Sequence, residues 1–236
     1  MPNFVCDQLV DRFQSKSIPP KWRREDKVFV EVMYVDGKED YRNFKINGKP
    51  LKSGTPEDSG TWSEGDWSTT LLEVLGTGAG LIVKPRPPGK SKDVIAGIPV
   101  EVFDIQVPKD RSLWTIRFDG SIKPAYKGSL WIDPVSARVL RIEKQAVKLP
   151  LTYALDAVEM VVEYGWIAIG EEKYLMPVES SNLACRRYTT NCTKNDIKFT
   201  NYRKFSSEST ITTTESEISF GDPPPVKPAA KPSKKN

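Results

Sequence analysis

Apolar and polar residues alternate through most of the chain with the period of two that strands require. The clearest stretch is 125–148, AYKGSLWIDPVSARVLRIEKQAVK. Two alternating runs, 127–133 and 138–147, flank Asp133-Pro134-Val135-Ser136. There Pro134 presets φ for a turn, and Asp133 is placed to hydrogen-bond the backbone beyond it. One register sets Ile132 against Leu140, Leu130 against Ile142, Trp131 against Arg141 and Ser129 against Glu143. One face is then wholly apolar, and the other carries a Trp–Arg pair suited to stacking cation on ring. A slip of one residue would bring Arg141 opposite Leu130, so the pattern pins the register.

Other strands follow the same logic. In 27–35, Val28, Val30, Val32 and Tyr34 alternate with Phe29, Glu31 and Met33, Asp36-Gly37 predicts a tight turn, and 38–46 returns to close at Asn47-Gly48. In 155–169, Val158, Met160, Val162, Tyr164 and Trp166 share one parity and Glu159 and Glu163 the other. Segments 81–84, 98–107, 112–119, 173–180, the region near Cys185 and 197–206 also read as strands. Segment 4–14 is ambiguous, because the spacing of Val5, Leu9 and Phe13 suits either a helix or a strand.

One helix stands out. Ser63 and Asp66 form a capping box, Trp67, Leu71, Leu72, Val74 and Leu75 make a stripe, and Gly76 suits the C′ position. At about three turns it is too short to stand alone and must bury its stripe against the sheet. It serves there as a lid over a cavity or as a plug completing an ordinary core. About ten strands, one helix and no βαβ alternation predict a mainly β protein, a single curved antiparallel sheet or half-barrel. The domain spans 1–220, and a Pro/Lys-rich disordered tail spans 221–236.

Composition narrows the chemistry. The formal charge is +4, but the last sixteen residues hold four Lys and one Asp, so the body is nearly neutral and carries no basic stripe for nucleic acid. There is no histidine, which removes Ser-His-Asp and Cys-His nucleophiles, imidazole metal sites and the usual general base near neutral pH. The three cysteines have no metal spacing. Cys185 and Cys192 are close enough in sequence for a disulfide across a hairpin, or are two unrelated small buried residues, and Cys6 is left over. No run approaches the ~20 apolar residues of a membrane span.

The carboxylate pairs read as surface. Glu159 and Glu163 would lie about 13 Å apart along a strand, too far to share a proton or flank one bond. Glu171/Glu172 sits at a turn, and Glu215/Glu217 lies in 206–219, a Ser/Thr-rich edge strand or fraying end. Gly76–Gly80 follows a helix and lacks the Gly-Lys-Ser/Thr of a phosphate loop. No cofactor and no metal is expected, and an enzyme using positioned carboxylates or tyrosines without a cofactor is the least favoured reading. The inward residues are more informative: Leu130, Ile132, Leu140 and Ile142 from the hairpin, with Met160, Tyr164 and Trp166 from the long strand, facing Trp67, Leu71 and Leu75 of the helix. Met and aromatic residues make adaptable walls that suit an acyl chain, and they also suit a filled core.

Several short segments together resemble the periplasmic lipoprotein-carrier superfamily of the LolA/LolB type, and an uncharacterised group of secreted bacterial proteins of that fold. They are Pro2-Asn3-Phe4-Val5-Cys6-Asp7-Gln8, Ser63-Glu64-Gly65-Asp66-Trp67, Gly128-Ser129-Leu130-Trp131-Ile132-Asp133 continuing to Val139-Leu140-Arg141-Ile142-Glu143, and Tyr174-Leu175-Met176-Pro177. The resemblance implies an open half-barrel whose concave side is covered by helices around a hydrophobic cavity, with 4–14 as the first strand. It also implies a periplasmic or secreted location, a signal peptide removed ahead of this sequence, and a compartment that permits a Cys185–Cys192 bridge. No position matches the carriers' lid-locking arginine. The expected function is non-enzymatic binding of a hydrophobic ligand, with lipid or acylated protein as partner. The alternative is a cell-envelope interaction module with a filled core, which would bind other envelope proteins through the face around Trp131 and Arg141.

Overall fold

A computed structural model describes residues 3–51, 60–62, 68–76, 81–87 and 93–205. Eleven strands form one antiparallel sheet that remains open, curved like a half-barrel. In chain order the strands are β1 (Phe4–Ser15), β2 (Arg23–Val35), β3 (Lys38–Ile46), β4 (Lys49–Pro50), β5 (Ile82–Pro85), β6 (Val94–Ile95), β7 (Ile98–Pro99) and β8 (Glu101–Val107). They continue as β9 (Ile116–Arg117), β10 (Ser121–Ile122), β11 (Ala125–Asp133), β12 (Arg138–Val147), β13 (Leu155–Ile169), β14 (Glu172–Arg186) and β15 (Cys192–Lys204). The sheet order is β4-β3-β2-β1-β15-β14-β13-β12-β11-β8-β5, while β6–β7 and β9–β10 are separate two-stranded ribbons. The single helix described, α1 (Ser68–Leu75), lies between β4 and β5 in the chain. Among the described residues no helix is long and apolar enough to cross a membrane.

Directly opposed residues in neighbouring strands point to the same face. One such row runs Val28, Val10, Ile197, Ser180, Val162, Ile142 and Leu130, and every member is buried. It ties two apolar clusters to the same side of the sheet. One contains Phe4, Cys6, Val28, Val30, Val32 and Ile197, the other Val74, Trp114, Ile116, Ile142, Met160 and Val162. Each such side chain, fully buried, contributes about 1.5–3 kcal/mol.

The predicted hairpins form. Asp36 and Gly37 both take positive φ in the β2–β3 turn, as an Asp-Gly pair predicts. At the β11–β12 turn the Val135 amide and the Ser136 hydroxyl donate to the two carboxylate oxygens of Asp133 at 2.9 and 2.6 Å. Leu130 faces Ile142 and Trp131 faces Arg141 as expected, but a bulge beyond Trp131 pairs Ile132 with Val139, so Ile132 does not meet Leu140. The extra residue leaves Val139 and Leu140, adjacent in the strand, both buried.

Other expectations are corrected. β1 is a strand, but its buried face is Phe4, Cys6, Gln8, Val10 and Arg12, the parity opposite to Val5, Leu9 and Phe13. Segment 112–119 is not a sheet strand. After a 3-10 turn at Lys109–Arg111 it crosses the concave face, contributing only the short β9, and buries Trp114 and Ile116. The region near Cys185 is no separate strand, because β14 runs unbroken to Arg186. Trp166 is exposed: a second bulge opposite Glu163 and Tyr164 rotates the end of β13, so that Ile167 and Ile169 turn inward instead. Helix α1 buries Thr70 and Val74 and half-buries Leu71 and Glu73, while Leu72 and Leu75 face solvent. Gly76 does not take the positive φ of a C′ cap, and its amide donates to the Leu72 carbonyl at 2.9 Å. The capping residues Ser63 and Asp66, Trp67, the Gly-rich 77–80 and the segment 206–236 with Glu215 and Glu217 lie outside the described residues.

Candidate functional site

Two residues along from the apolar row, the same face carries a different one: Asp26, Arg12, Asn195, Asn182, Met160 and Lys144, opposed in that order across six strands. From Arg12 to Lys144 this row floors a cavity of about 780 Å³. The cover comes from α1, from segment 60–62 and from the crossing segment 114–120. Each is short, and each is fixed to the sheet by polar contacts as well as by packing.

At one end the Arg12 guanidinium grips the Asp26 carboxylate with both arms, at 2.7 and 2.5 Å, and the pair is almost wholly buried. Gly60 lies against it so closely that an added Cβ would sit 2.8 Å from an Arg12 nitrogen. Beside it the Thr61 hydroxyl donates to Asn195 Oδ1 at 3.1 Å, and Asn195 Nδ2 donates to the Thr61 carbonyl at 3.1 Å. Trp62 follows, set edge-on against Tyr41 and Phe44 at 6.0 and 5.8 Å between centroids.

At the other end Lys144 Nζ meets Glu73 Oε2 at 2.6 Å, its side chain 1% exposed and that of Glu73 12%. The ammonium also lies 4.5 Å from the centre of the Trp114 ring, which meets Tyr126 edge-on at 5.7 Å. Tyr126 donates its hydroxyl to the Glu73 carbonyl at 3.2 Å. Burial first, and the nearby Glu73 charge second, push the Tyr126 phenol up to about 12. Thr70 of α1 donates to Met160 Sδ at 3.7 Å. Leu155, Val158, Ile116 and Phe118 supply the apolar part of the wall.

Of the residues expected to line a cavity, Met160 does. Leu130, Ile142 and Tyr164 belong to the packed cluster beside it, with Leu71 and Ile132 against that cluster. Leu140 is buried, Leu75 and Trp166 are exposed, and Trp67 is outside the described residues. Sequence reasoning missed Arg12, Lys144, Asn182 and Asn195, because polar residues on strands read as solvent-facing. The signal that would have found them is strand parity. Arg12 shares a face with Val10 and Phe4, and Lys144 shares one with Ile142.

On the opposite face Trp131 is flanked by the guanidiniums of Arg141 and Arg86, 5.2 and 5.9 Å from its ring centre. Arg141 is held by Glu143 and Glu163, and Arg86 by Asp104. The Arg86 hydrogen bond, with a second from Ser129, holds the Asp104 carboxyl below the usual range. Glu159 accepts from Gln145 at 2.8 Å, so neither member of the Glu159/Glu163 pair stands alone.

Cys185 and Cys192 face each other across β14 and β15 and form a disulfide, Cα atoms 4.0 Å apart. Cys6 is a buried thiol whose pKa is raised, chiefly by burial. No family model, curated protein or solved structure matches the chain.

Proposed function

We propose that this is a non-enzymatic exported protein that holds a hydrophobic ligand, a lipid, acyl chain or acylated protein, between the curved sheet and α1. The observation that carries the reading is the cavity. At about 780 Å³ it falls in the range of small-molecule pockets, and Met160, Val158, Leu155, Ile116 and Trp114 give it an apolar wall. The cross-strand disulfide fits a periplasmic or secreted location, where such bonds persist. The cover is a short helix and two loop segments, elements of the kind that open at low free-energy cost to admit a ligand.

Organic extraction of the purified chain, with native mass spectrometry, tests the reading. Near-stoichiometric lipid is expected. Clean ligand-free protein that takes up no hydrophobic dye would sink it.

A second reading draws on the outer face. A tryptophan between two arginines is the composition of an interaction hot spot, and it supports an envelope-protein docking role. Under that reading Trp131→Ala abolishes capture of an envelope partner and leaves lipid content unchanged; under the carrier reading it alters neither.

A further inference from the structure

The cavity is not a plain apolar slot, and its polar groups say what kind of head a ligand brings. Such selection rests on the carrier reading above and concerns the same site. Asn195 is 3% exposed yet lines the cavity. A carboxamide offers two N–H donors and two acceptor lone pairs. Thr61 takes one of each, its hydroxyl donating to Oδ1 and its carbonyl accepting from Nδ2, both at 3.1 Å. One donor and one acceptor of a buried side chain therefore remain at the cavity wall. Asn182 stands directly opposite on β14, and Met160 is next in the row.

The charged members of the floor are already matched. Arg12 is held by both oxygens of Asp26, and Lys144 by Glu73. An anionic head recruiting either cation would strip a buried carboxylate of its partner, a change that is strongly destabilising. Among the described lining residues the cations Arg12, Arg117 and Lys144 face four carboxylates, Glu25, Glu73, Asp119 and Glu159. Among these described residues no surplus positive charge is left to attract a phosphate or a fatty-acid carboxylate.

We propose that the cavity selects an amphiphile with an uncharged hydrogen-bonding head, an ester, amide or hydroxyl. The head is received by Asn195, and the apolar chain passes Met160 and Val158 toward Leu155, Ile116 and Trp114. Asn195 contacts the ligand, and Thr61 positions its carboxamide.

The test uses the full chain, stripped of bound lipid, and probes of one chain length. 1-Monopalmitoylglycerol, palmitate and hexadecyltrimethylammonium compete below their micellar concentrations at pH 8 for a bound hydrophobic dye, with native mass spectrometry to confirm occupancy. The uncharged glyceride is expected to bind at least tenfold more tightly than either ion. Palmitate or the ammonium binding as tightly as the glyceride overturns the head-group selectivity while leaving the carrier reading intact. Failure of all three to bind overturns both.

This comparison needs no variant, so a folding defect cannot obscure it. Asn195→Leu is expected to weaken the glyceride at least tenfold and palmitate less than twofold. Thr61→Val, a milder change, is expected to weaken the glyceride two- to fivefold. Equal weakening of glyceride and palmitate in both variants would assign Asn195 a purely structural part and overturn its assignment as head-group ligand.

Discussion

Single residues in this protein are constrained in ways that their type alone does not announce. Gly128 sits in the middle of β11, where an added Cβ would lie 1.8 Å from the Glu143 carbonyl oxygen and 2.9 Å from Lys144 Cα. Both contacts are backbone, so the strands themselves must part. Gly128→Ala is expected to destabilise by about 1–3 kcal/mol, the range of an overpacked core, read as a lower urea midpoint with an unchanged slope. Buried ionisable groups set a second constraint. Burial raises the pKa of Cys6, Tyr126 and Tyr202 in the folded state, Tyr126 to about 12. The unfolded chain therefore releases these protons first, at about 8.5 for Cys and about 10 for Tyr. Stability is expected to fall as pH rises above about 8.5, with the Tyr126 share lost between about 10 and 12. Urea midpoints across that range check it, and Tyr126→Phe should flatten the upper part of the slope. Cys6 could be read from the sequence as a small buried residue. Arg12 and Lys144 could not, because nothing local to a strand says that a charge on its inner face has a partner on another element.

At the scale of elements, α1 is the least self-sufficient part. An eight-residue helix is marginal in water, and this one turns Leu72 and Leu75 outward. Its attachment is Val74 in the core, Thr70 on Met160, and the Glu73–Lys144 ion pair. Lys144→Met is expected to cost about 3–5 kcal/mol by leaving Glu73 buried and unpaired, and adding Glu73→Leu should restore most of it. A double-mutant cycle in urea measures both, and strict additivity would deny the pair its coupling. The stripe written in the sequence was wide enough to fit several orientations. The ion pair selects one that the apolar residues alone did not specify. The hairpins were more legible. Asp36-Gly37 and Asp133-Pro134 encode their turns locally, and alternation fixed the Leu130–Ile142 register up to the bulge. The bulges at Ile132 and Tyr164 were not legible, since an extra residue leaves a run looking equally apolar.

For the whole molecule, the first and last described strands, β1 and β15, pair at the middle of the sheet, while β4 and β5 form its edges. The long central strands β13, β14 and β15 are hydrogen-bonded on both sides, whereas the described cover over the cavity is a short helix and short segments outside the large sheet. Amides of 68–76 and 114–120 are therefore expected to exchange hydrogen well before those of β13 and β14, and ligand binding should slow them selectively. Exchange measured by mass spectrometry decides this. Uniform protection across cover and sheet would mean the cavity does not open by movement of its cover.

The sequence by itself determined the mainly β class, the antiparallel connections, the position of the one helix described and the reach of Cys185 to Cys192. Each depends on periodicity or on residues close in the chain. Which parity of β1 points inward, where bulges rotate a strand, and which polar residues line the cavity were decided only by the tertiary structure. Those outcomes depend on what lies across the sheet, at separations such as Thr61 to Asn195 or Glu73 to Lys144, where the free energy of pairing belongs to neither segment alone.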